Sequence, residues 1–338
     1  MVTFQIIAAV IFTVGYIGIA TEHKFHINKA AWALMVGGFL WVLVALSGVG
    51  HLEEHLMETG HEIFSLVVFL LAAMSLVEIL ISCGIFDALR TKMLEYKLNN
   101  SKQFLIIMTV AFFLSAIVDN LTATIIMIQI ARKFFKGNNL LVAAVGVVLG
   151  ANAGGAFSPI GDVTTIMLWI AGKFSAVEII LNGFLPSLVI GVVAYLLLAR
   201  KIDDSIEDDT PQMTQRYSFS FAKKIIMVSA AISFVLPVFF KLIHLPPVLG
   251  ILTGLGVTWF LVEALTHNGK EDSKLTARIE ELIQKTDIAS IKFFIGILLA
   301  VSALSVLGVL EIVSGFIYGA DVSTERIIIG NIILGAIS

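Results

Sequence analysis

Two aspartates lie inside long apolar stretches of this 338-residue chain, where ionisable residues are costly and by default mark function. Asp119 interrupts the apolar run 103–131, and Asp162 interrupts the run 140–171. Hydroxyl and amide side chains accompany both positions; they are Ser115, Asn120, Thr122, Thr124, Asn152, Ser158, Thr164 and Thr165. Carboxylate, hydroxyl and amide oxygens are hard ligands that suit hard cations. The pattern therefore predicts a site for a small cation at membrane depth.

The same two carboxylates can also carry protons. A carboxylate that binds a metal ion must give up its proton, so cation and proton compete for it. Asp119 and Asp162 are accordingly the predicted ligands of Na⁺ or Li⁺ and the predicted proton carriers, which is the minimum requirement for cation/proton exchange. The competing interpretation is that Asp119, Asn120 and Asp162 only cap the helices that follow them. Glu78, inside the run 63–83, is predicted either to relay protons or gate the site, or to be a helix-packing carboxyl that pairs with a neighbour.

The composition fixes the class of protein. Hydrophobic residues make up 58% of the chain and charged residues only 14%, against about 25% charged in soluble domains. The mean hydropathy is +0.97, and so much apolar surface cannot be hidden inside a soluble domain of this size. A soluble enzyme, a disordered chain and a nucleic-acid binder are excluded, and the net charge of −3 argues separately against nucleic acid. The sequence predicts a multi-pass, all-α membrane protein.

Apolar runs of about 20 residues are candidate membrane spans. The first, 2–20, lacks a basic start and a cleavage site, so we interpret it as a membrane helix and not as a signal peptide. The other simple spans are 30–49, 63–83, 177–199, 224–241, 246–264 and 293–311. The runs 103–131 and 140–171 are too long and too polar to be simple helices. We expect the first to break at 118–120, and the second at 151–155 and again at 158–162.

The distribution of Lys and Arg selects a topology, because basic residues concentrate in cytoplasmic loops. If 103–131 is a re-entrant hairpin, 19 basic residues lie inside and 3 outside. Two full crossings would give 9 and 13, and a hairpin at 140–171 would give 16 and 6. We therefore predict a re-entrant hairpin over 103–131 and a broken helix over 140–171. Such backbone at membrane depth is tolerated where it is buried in protein or lines a wet cavity.

The domain organisation follows from these elements. We predict N-terminal membrane helices over 1–62, a first repeat over 63–199, an acidic cytoplasmic linker over 200–223 and a second half over 224–338. The second half would contain an amphipathic surface helix at 272–287 and the start of a second, inverted repeat, because the runs ending near Gly84 and Gly308 are alike but cross in opposite directions. On this prediction the printed chain ends where the second broken motif begins.

Two segments resemble a known family. The segment Ser-Ala-Ile-Val-Asp-Asn-Leu-Thr at 115–122 and the segment Asn-Ala-Gly-Gly-Ala-Phe-Ser-Pro-Ile-Gly-Asp-Val-Thr-Thr at 152–165 closely resemble the NhaD-type sodium/proton antiporters of the ion transporter superfamily. The resemblance implies two inverted repeats, each with a re-entrant hairpin and a broken helix, and exchange of Na⁺ or Li⁺ for protons. It implies cation-binding roles for Ser115, Asp119, Asn120, Asn152, Asp162, Thr164 and Thr165. It also implies a second Asp-Asn hairpin and a second broken helix, which the printed sequence lacks.

We therefore expect an inverted-repeat secondary transporter in a bacterial-type inner (plasma) membrane, with the lipid bilayer as its surroundings and a homodimer as a candidate assembly. We expect no cofactor, no enzymatic activity and no nucleic-acid partner. An anion/Na⁺ symporter of the same superfamily, for arsenite or a dicarboxylate, stays open, although midplane carboxylates without an intramembrane Lys or Arg argue against an anionic substrate. An intramembrane hydrolase built on the paired aspartates and a passive channel also stay open.

Overall fold

The computed structural model describes residues 1–95, 98–204, 219–266, 288–319 and 323–337. Within these ranges the secondary structure is helical and contains no strand. Eight helical segments of the described part are long and apolar enough to cross a bilayer, which confirms the all-α polytopic class. One of the eight, Phe221–Leu242, is formed by two consecutive helices. The helices are α1 (Val2–Ala20), α2 (Glu22–Phe25), α3 (Lys29–Leu46), α4 (Leu52–Cys83), α5 (Ile85–Glu95), α6 (Asn100–Ser115), α7 (Asn120–Ala131), α8 (Gly137–Ala156), α9 (Val163–Ile170), α10 (Ala176–Ala199), α11 (Phe221–Ser233), α12 (Leu236–Leu242), α13 (Pro247–Thr266), α14 (Ile288–Val306), α15 (Val309–Tyr318) and α16 (Thr324–Ile337).

The chain divides into two compact units, of which the first comprises residues 1–67 and 287–338. Its core is the packing of α3 along α14, where the backbones approach so closely that a Cβ atom on Gly37 would lie 2.8 Å from the carbonyl oxygen of Gly296. The Trp41 indole N–H donates to the carbonyl of Leu299 at 3.0 Å. Small residues at the contact and side chain-to-backbone hydrogen bonds are what hold helices together in lipid.

The second unit, residues 68–286, contains every predicted site residue. Within it α8 packs against α6, α7 and α10, while α13 packs against α11 and α12. Hydroxyl groups join α11 to α13, since the Thr258 hydroxyl lies 2.8 Å from that of Ser229 and 3.1 Å from that of Ser233. The domain boundaries and the inverted repeat drawn from the sequence stay predictions.

Helices α6 and α7 form a hairpin. The side-chain amides of Asn100, at the start of α6, and Asn139, in the first turn of α8, both donate to the carbonyl of Asp203, at 3.0 and 2.9 Å. Only residues 132–136 separate α7 from α8. Because five residues span at most about 18 Å, α7 must end on the side where α6 begins. The chain therefore reverses between the two helices; that the hairpin enters and leaves a membrane on one side stays a prediction.

The start of the predicted linker 200–223 is bound to these helix ends. Both carboxylate oxygens of Asp204 are engaged: one accepts from the backbone N–H of Ser101 at 2.8 Å, and the other from the Ser101 hydroxyl at 2.9 Å and the Asn99 amide at 3.0 Å. The end of α10 is thereby fixed beside the beginnings of α6 and α8. The rest of the acidic linker, 205–218, and the predicted amphipathic helix at 272–287 lie outside the described residues.

Between the spans 30–49 and 63–83, the acidic segment 51–62, which has no Lys or Arg, predicts an external loop. This prediction is wrong, because α4 already begins at Leu52. Glu53 and Glu54 stand in its first turn, where negative charge interacts favourably with the helix dipole. The 32-residue helix is about 48 Å long at 1.5 Å per residue, so it exceeds a hydrocarbon core of about 30 Å. A helical extension of α4 therefore replaces the expected external loop.

The break predicted at 151–155 is also wrong, because α8 continues as a helix to Ala156 and only the later interruption, 157–162, occurs. Glycine weakens an isolated helix by about 1 kcal/mol relative to alanine. Here tertiary packing overrides that cost, since Gly154 lies against the backbone of Phe112 in α6, at a distance that leaves no room for a side chain. The glycines serve close packing and do not end the helix.

Two predicted single spans each consist of two helices. The run 224–241 contains α11 and α12, which a turn at Phe234 and Val235 separates just before Pro237. The run 293–311 contains the end of α14 and the start of α15, which meet at Gly308. Gly308 has a φ of +74°, a left-handed conformation that glycine adopts without steric cost.

Candidate functional site

The tip of the α6–α7 hairpin meets the interruption between α8 and α9. The backbone N–H of Asn120 donates to the carbonyl of Gly161 at 3.1 Å. The side-chain NH₂ of Asn120 donates to Asn152 Oδ1 at 2.9 Å and to Asp162 Oδ2 at 2.6 Å. Three residues predicted from two separate sequence segments are thus in direct contact, and the NH₂ group of Asn120 lies between two oxygen atoms.

Asp162 is the N-cap of α9, and its carboxylate accepts three hydrogen bonds. Besides the bond from Asn120, its Oδ1 accepts from the backbone N–H of Thr164 at 2.8 Å and from the Thr164 hydroxyl at 2.6 Å. The Thr165 hydroxyl donates to the backbone carbonyl of Asp162 at 2.9 Å. The short polar side chains after Asp162 therefore bind back onto it and concentrate oxygen atoms at the start of α9.

Asp119 has different surroundings. It caps α7, with its Oδ1 accepting from the backbone N–H of Thr122 at 2.9 Å. It also lines a narrow cavity whose other walls are apolar and include Met74, Ile160 and Phe234. No hydrogen bond among the described residues joins Asp119 to Asp162. The adjacent residue, Asn120, makes the connection between the two segments.

Two glycines allow this close meeting. A Cβ atom on Gly155 would lie 2.6 Å from the carbonyl oxygen of Gly161 and 3.1 Å from the hydroxyl oxygen of Ser115. A Cβ atom on Gly161 would lie 2.5 Å from the carbonyl oxygen of Ser115. The Ser115 hydroxyl itself is buried and has no hydrogen-bond partner within the described ranges. Sequence reasoning missed this role of Gly155 and Gly161, although a glycine pair just before Ser158 was the available signal.

The other predicted residues lie around this meeting point. The Ser158 hydroxyl is buried in the interruption and accepts from the backbone N–H of Ile160 at 3.3 Å. Thr122 and Thr124 are half-buried on α7, and in the described structure no hydrogen bond joins Thr124 to the Asn120–Asp162 contact. Glu78 is half-buried on α4, directly after Val77, which lines the cavity beside Asp119. The functional roles of all these residues stay predictions.

Lys241, in the last turn of α12, binds the C-terminal end of α9. The Lys241 ammonium donates to the carbonyl of Trp169 at 2.6 Å and lies 5.7 Å from the centre of its ring. The ring of Phe69 packs edge-on against Trp169 at a centroid distance of 6.4 Å. A cation at a helix C-terminus is stabilising, so α9 is fixed by Asp162 at one end and by Lys241 at the other.

Comparisons with known proteins agree on a transporter. A family model described as a citrate transporter matches residues 7–338. Sodium/proton antiporter 1 of Arabidopsis thaliana is 35% identical over 316 residues, which cover 91% of this chain and 54% of that protein. Sodium/proton antiporter 2 of the same plant is 32% identical over 94% of this chain and 76% of its own length. The Na(+)/H(+) antiporter NhaD of Alkalimonas amylolytica is 29% identical over 97% of this chain and 72% of its own length.

The chain thus spans about half the length of the first of these relatives and about three quarters of the other two. No solved structure matches the chain significantly. The family model covers nearly all of the sequence, and the antiporter relatives extend over most of it. The chain therefore belongs to the citrate transporter family and, within it, to the NhaD type of sodium/proton antiporters.

Proposed function

We propose that this protein exchanges Na⁺ for H⁺ across a plasma membrane, with Li⁺ as an alternative cation. Its relatives carry the names sodium/proton antiporter and Na(+)/H(+) antiporter, and its long apolar helices suit a multi-pass transporter. The observation that carries the proposal is the contact of Asn120 with Asn152 and Asp162, because it brings carboxylate and amide groups together between two helix interruptions. Discontinuous helices of this kind form the ion sites of secondary transporters.

The NH₂ group of Asn120 marks the position of the cation. It lies between Asn152 Oδ1 and Asp162 Oδ2, and an amide NH₂ carries positive partial charge. When Na⁺ enters, Asn120 rotates so that its NH₂ leaves this position, and its own Oδ1 joins the two other oxygen ligands. The Thr164 and Ser115 hydroxyls extend the set of oxygen atoms nearby. Oxygen ligands of this kind suit a hard cation.

Proton coupling follows from the same carboxylate. Asp162 can bind Na⁺ only when it is deprotonated, and a proton on it removes the charge that holds the cation. Asp119 is the second proton-carrying and cation-binding group of the proposal. One of its carboxylate oxygens accepts a hydrogen bond at the start of α7, and its side chain lines the narrow cavity. One face of the membrane loads Na⁺ and the other loads protons, and each displaces the other.

The test uses everted membrane vesicles from cells that express the protein and lack their own sodium/proton antiporters. Addition of Na⁺ should collapse an imposed pH gradient with the wild type and not with Asp162→Asn or Asp119→Asn. Asp87→Asn is the matched control, because Asp87 is exposed on α5 and lies outside the site. Wild-type exchange by Asp162→Asn, at an unchanged apparent Na⁺ affinity, would contradict the assignment of the site.

An anion symporter is the second candidate, because the matching family model is described as a citrate transporter. The ionisable side chains in the described part of the site are the carboxylates Asp119 and Asp162, which repel an anionic substrate. Radiolabelled citrate added to the same vesicles should therefore not accumulate when Na⁺ is supplied. Na⁺-driven citrate uptake that Asp162→Asn abolishes would favour symport over exchange.

A further inference from the structure

A groove runs along the outer surface of the second unit, away from the cation site. It lies between α6, α8 and α10, has a volume of about 110 Å³ and is open along one side. Its walls are almost entirely apolar; the lining residues used below are Leu105, Thr109, Phe112, Phe113, Val192 and Tyr195. Two glycines, Gly150 and Gly191, keep it open between the helices. The groove therefore offers an apolar channel to a hydrocarbon ligand.

The groove has the depth and direction of one acyl chain. From Leu105 to Phe113 it follows α6 for about 12 Å at 1.5 Å per residue, close to the roughly 15 Å of one leaflet. Leu105 is 43% exposed and Phe113 51% exposed, so its open side faces the lipid that surrounds a membrane-spanning unit. The Leu105 end of the groove, its shallow end, lies near the beginnings of α6 and α8, which Asp203 joins. The distribution of basic residues assigns this side to the cytoplasm.

A positive charge stands at the shallow end. Lys102 is exposed in the first turn of α6, three residues before Leu105 and seven before Thr109, and residues with this spacing share one helix face. A lysine side chain at a helix end reaches the membrane interface, where it attracts anionic headgroups. Asp204, which is bound at the beginning of α6, has both oxygens engaged by Asn99 and Ser101. By its spacing, Lys102 lies on the helix face that leads into the groove.

We propose that the groove binds one anionic phospholipid of the cytoplasmic leaflet, with an acyl chain between α6, α8 and α10 and the phosphate at Lys102. The proposal does not depend on sodium/proton exchange, because none of the candidate cation ligands lines the groove. The site borders the transport machinery through Phe112, whose ring stacks on Phe157 at a centroid distance of 5.4 Å. The bound lipid would form part of the packing that supports α8.

The test is native mass spectrometry of the detergent-purified protein titrated with phosphatidylglycerol or with phosphatidylcholine of the same acyl chains. The wild type should bind one phosphatidylglycerol more tightly than phosphatidylcholine. Val192→Trp fills the groove and should weaken phosphatidylglycerol binding about tenfold or more, the loss expected if two or more acyl methylenes lose their contacts. Lys102→Gln should weaken it about fivefold, equivalent to about 1 kcal/mol, and remove the preference over phosphatidylcholine.

Two controls separate the groove from the general surface. Val193→Trp adds the same side chain at a neighbouring residue of similar exposure, 48% against 46%, that does not line the groove. Lys173→Gln removes an exposed lysine between α9 and α10. Both should bind phosphatidylglycerol like the wild type. If Val192→Trp lowers the thermal unfolding midpoint, Thr109→Phe replaces it, because Thr109 also lines the groove and is exposed.

Three results would overturn the proposal. Equal binding by the Val192→Trp and Val193→Trp variants would mean that the lipid does not occupy the groove. Equal affinity of the wild type for the two lipids would remove the role of Lys102. A lipid-free dimer that Val192→Trp dissociates would show that a second copy of the chain covers this surface.

Discussion

Replacement of Gly155 by alanine tests the contact on which the candidate site depends. The new Cβ atom would stand 2.6 Å from the carbonyl oxygen of Gly161, about 0.8 Å closer than the 3.4 Å at which ordinary contact begins. One of these atoms is a Cβ and the other is a backbone carbonyl oxygen, so no flexible side chain can move away to relieve the contact. The strain must displace Gly161, which accepts the hydrogen bond of the Asn120 backbone and immediately precedes Asp162.

Overpacking of this kind costs about 1–3 kcal/mol. We expect Gly155→Ala to lower the thermal unfolding midpoint in detergent and to weaken the apparent Na⁺ affinity about tenfold, which corresponds to about 1.4 kcal/mol. The affinity is measured as the Na⁺ concentration that gives half-maximal collapse of the pH gradient in everted vesicles. The effect should be on this concentration more than on the maximal rate, because the substitution moves ligands and removes none.

Gly256→Ala is the matched control, because Gly256 lies in the interior of α13 and, apart from its chain neighbours and its own helix backbone, no described atom lies within 4 Å of an added Cβ. Alanine favours a helix by up to about 1 kcal/mol over glycine, so this variant should be at least as stable as the wild type and should keep its Na⁺ affinity. If Gly155→Ala matched Gly256→Ala in both measurements, the close packing of Gly155 on Gly161 could not be what positions the site.

Three further substitutions address single contacts. Asn120→Asp removes the NH₂ group between Asn152 and Asp162 and adds a negative charge. Added Na⁺ should therefore raise the thermal unfolding midpoint of this variant more than that of the wild type. Equal shifts would contradict the proposed position of the cation. Lys241→Met should lower the unfolding midpoint, because the carbonyl of Trp169 loses its hydrogen-bond donor. Lys241→Arg should retain most of the stability, because it keeps a positive charge at the C-terminal end of α9. Equal midpoints in the two variants would show that this charge is unimportant. Asp204→Ala removes the hydrogen-bond acceptor of Ser101 and Asn99. Thermal unfolding should show a loss of stability of about 0.5–2 kcal/mol, the usual cost of losing a helix cap. An unchanged midpoint would mean that the contact contributes nothing.

Hydropathy and the spacing of polar residues were sufficient to predict the fold class and the grouping of three polar residues in the candidate site. An apolar helix of sufficient length has few competing structures in a chain of this composition, which is why the all-α polytopic class was predictable. The grouping of Asn120, Asn152 and Asp162 was also predictable, since polar side chains inside apolar runs have to find one another. The error at 151–155 has a physical origin: local propensity treats glycine as a helix breaker, whereas the backbone of Phe112, distant in sequence, makes glycine necessary inside α8.

What the sequence could not supply is the assignment of individual atoms. It identified Asn120 as one more oxygen ligand, but in the structure its NH₂ faces the oxygens of Asn152 and Asp162. An amide can present either a donor or an acceptor after a half-turn of its terminal group, so one residue can satisfy these oxygens without a cation and then add an oxygen when a cation arrives. Two acceptor oxygens that face one position repel each other, which costs energy when no positive group lies between them, and an exchanger has to pass through a state without Na⁺. A reversible amide between the two segments lowers that cost, and it explains why asparagine suits this position better than a second aspartate.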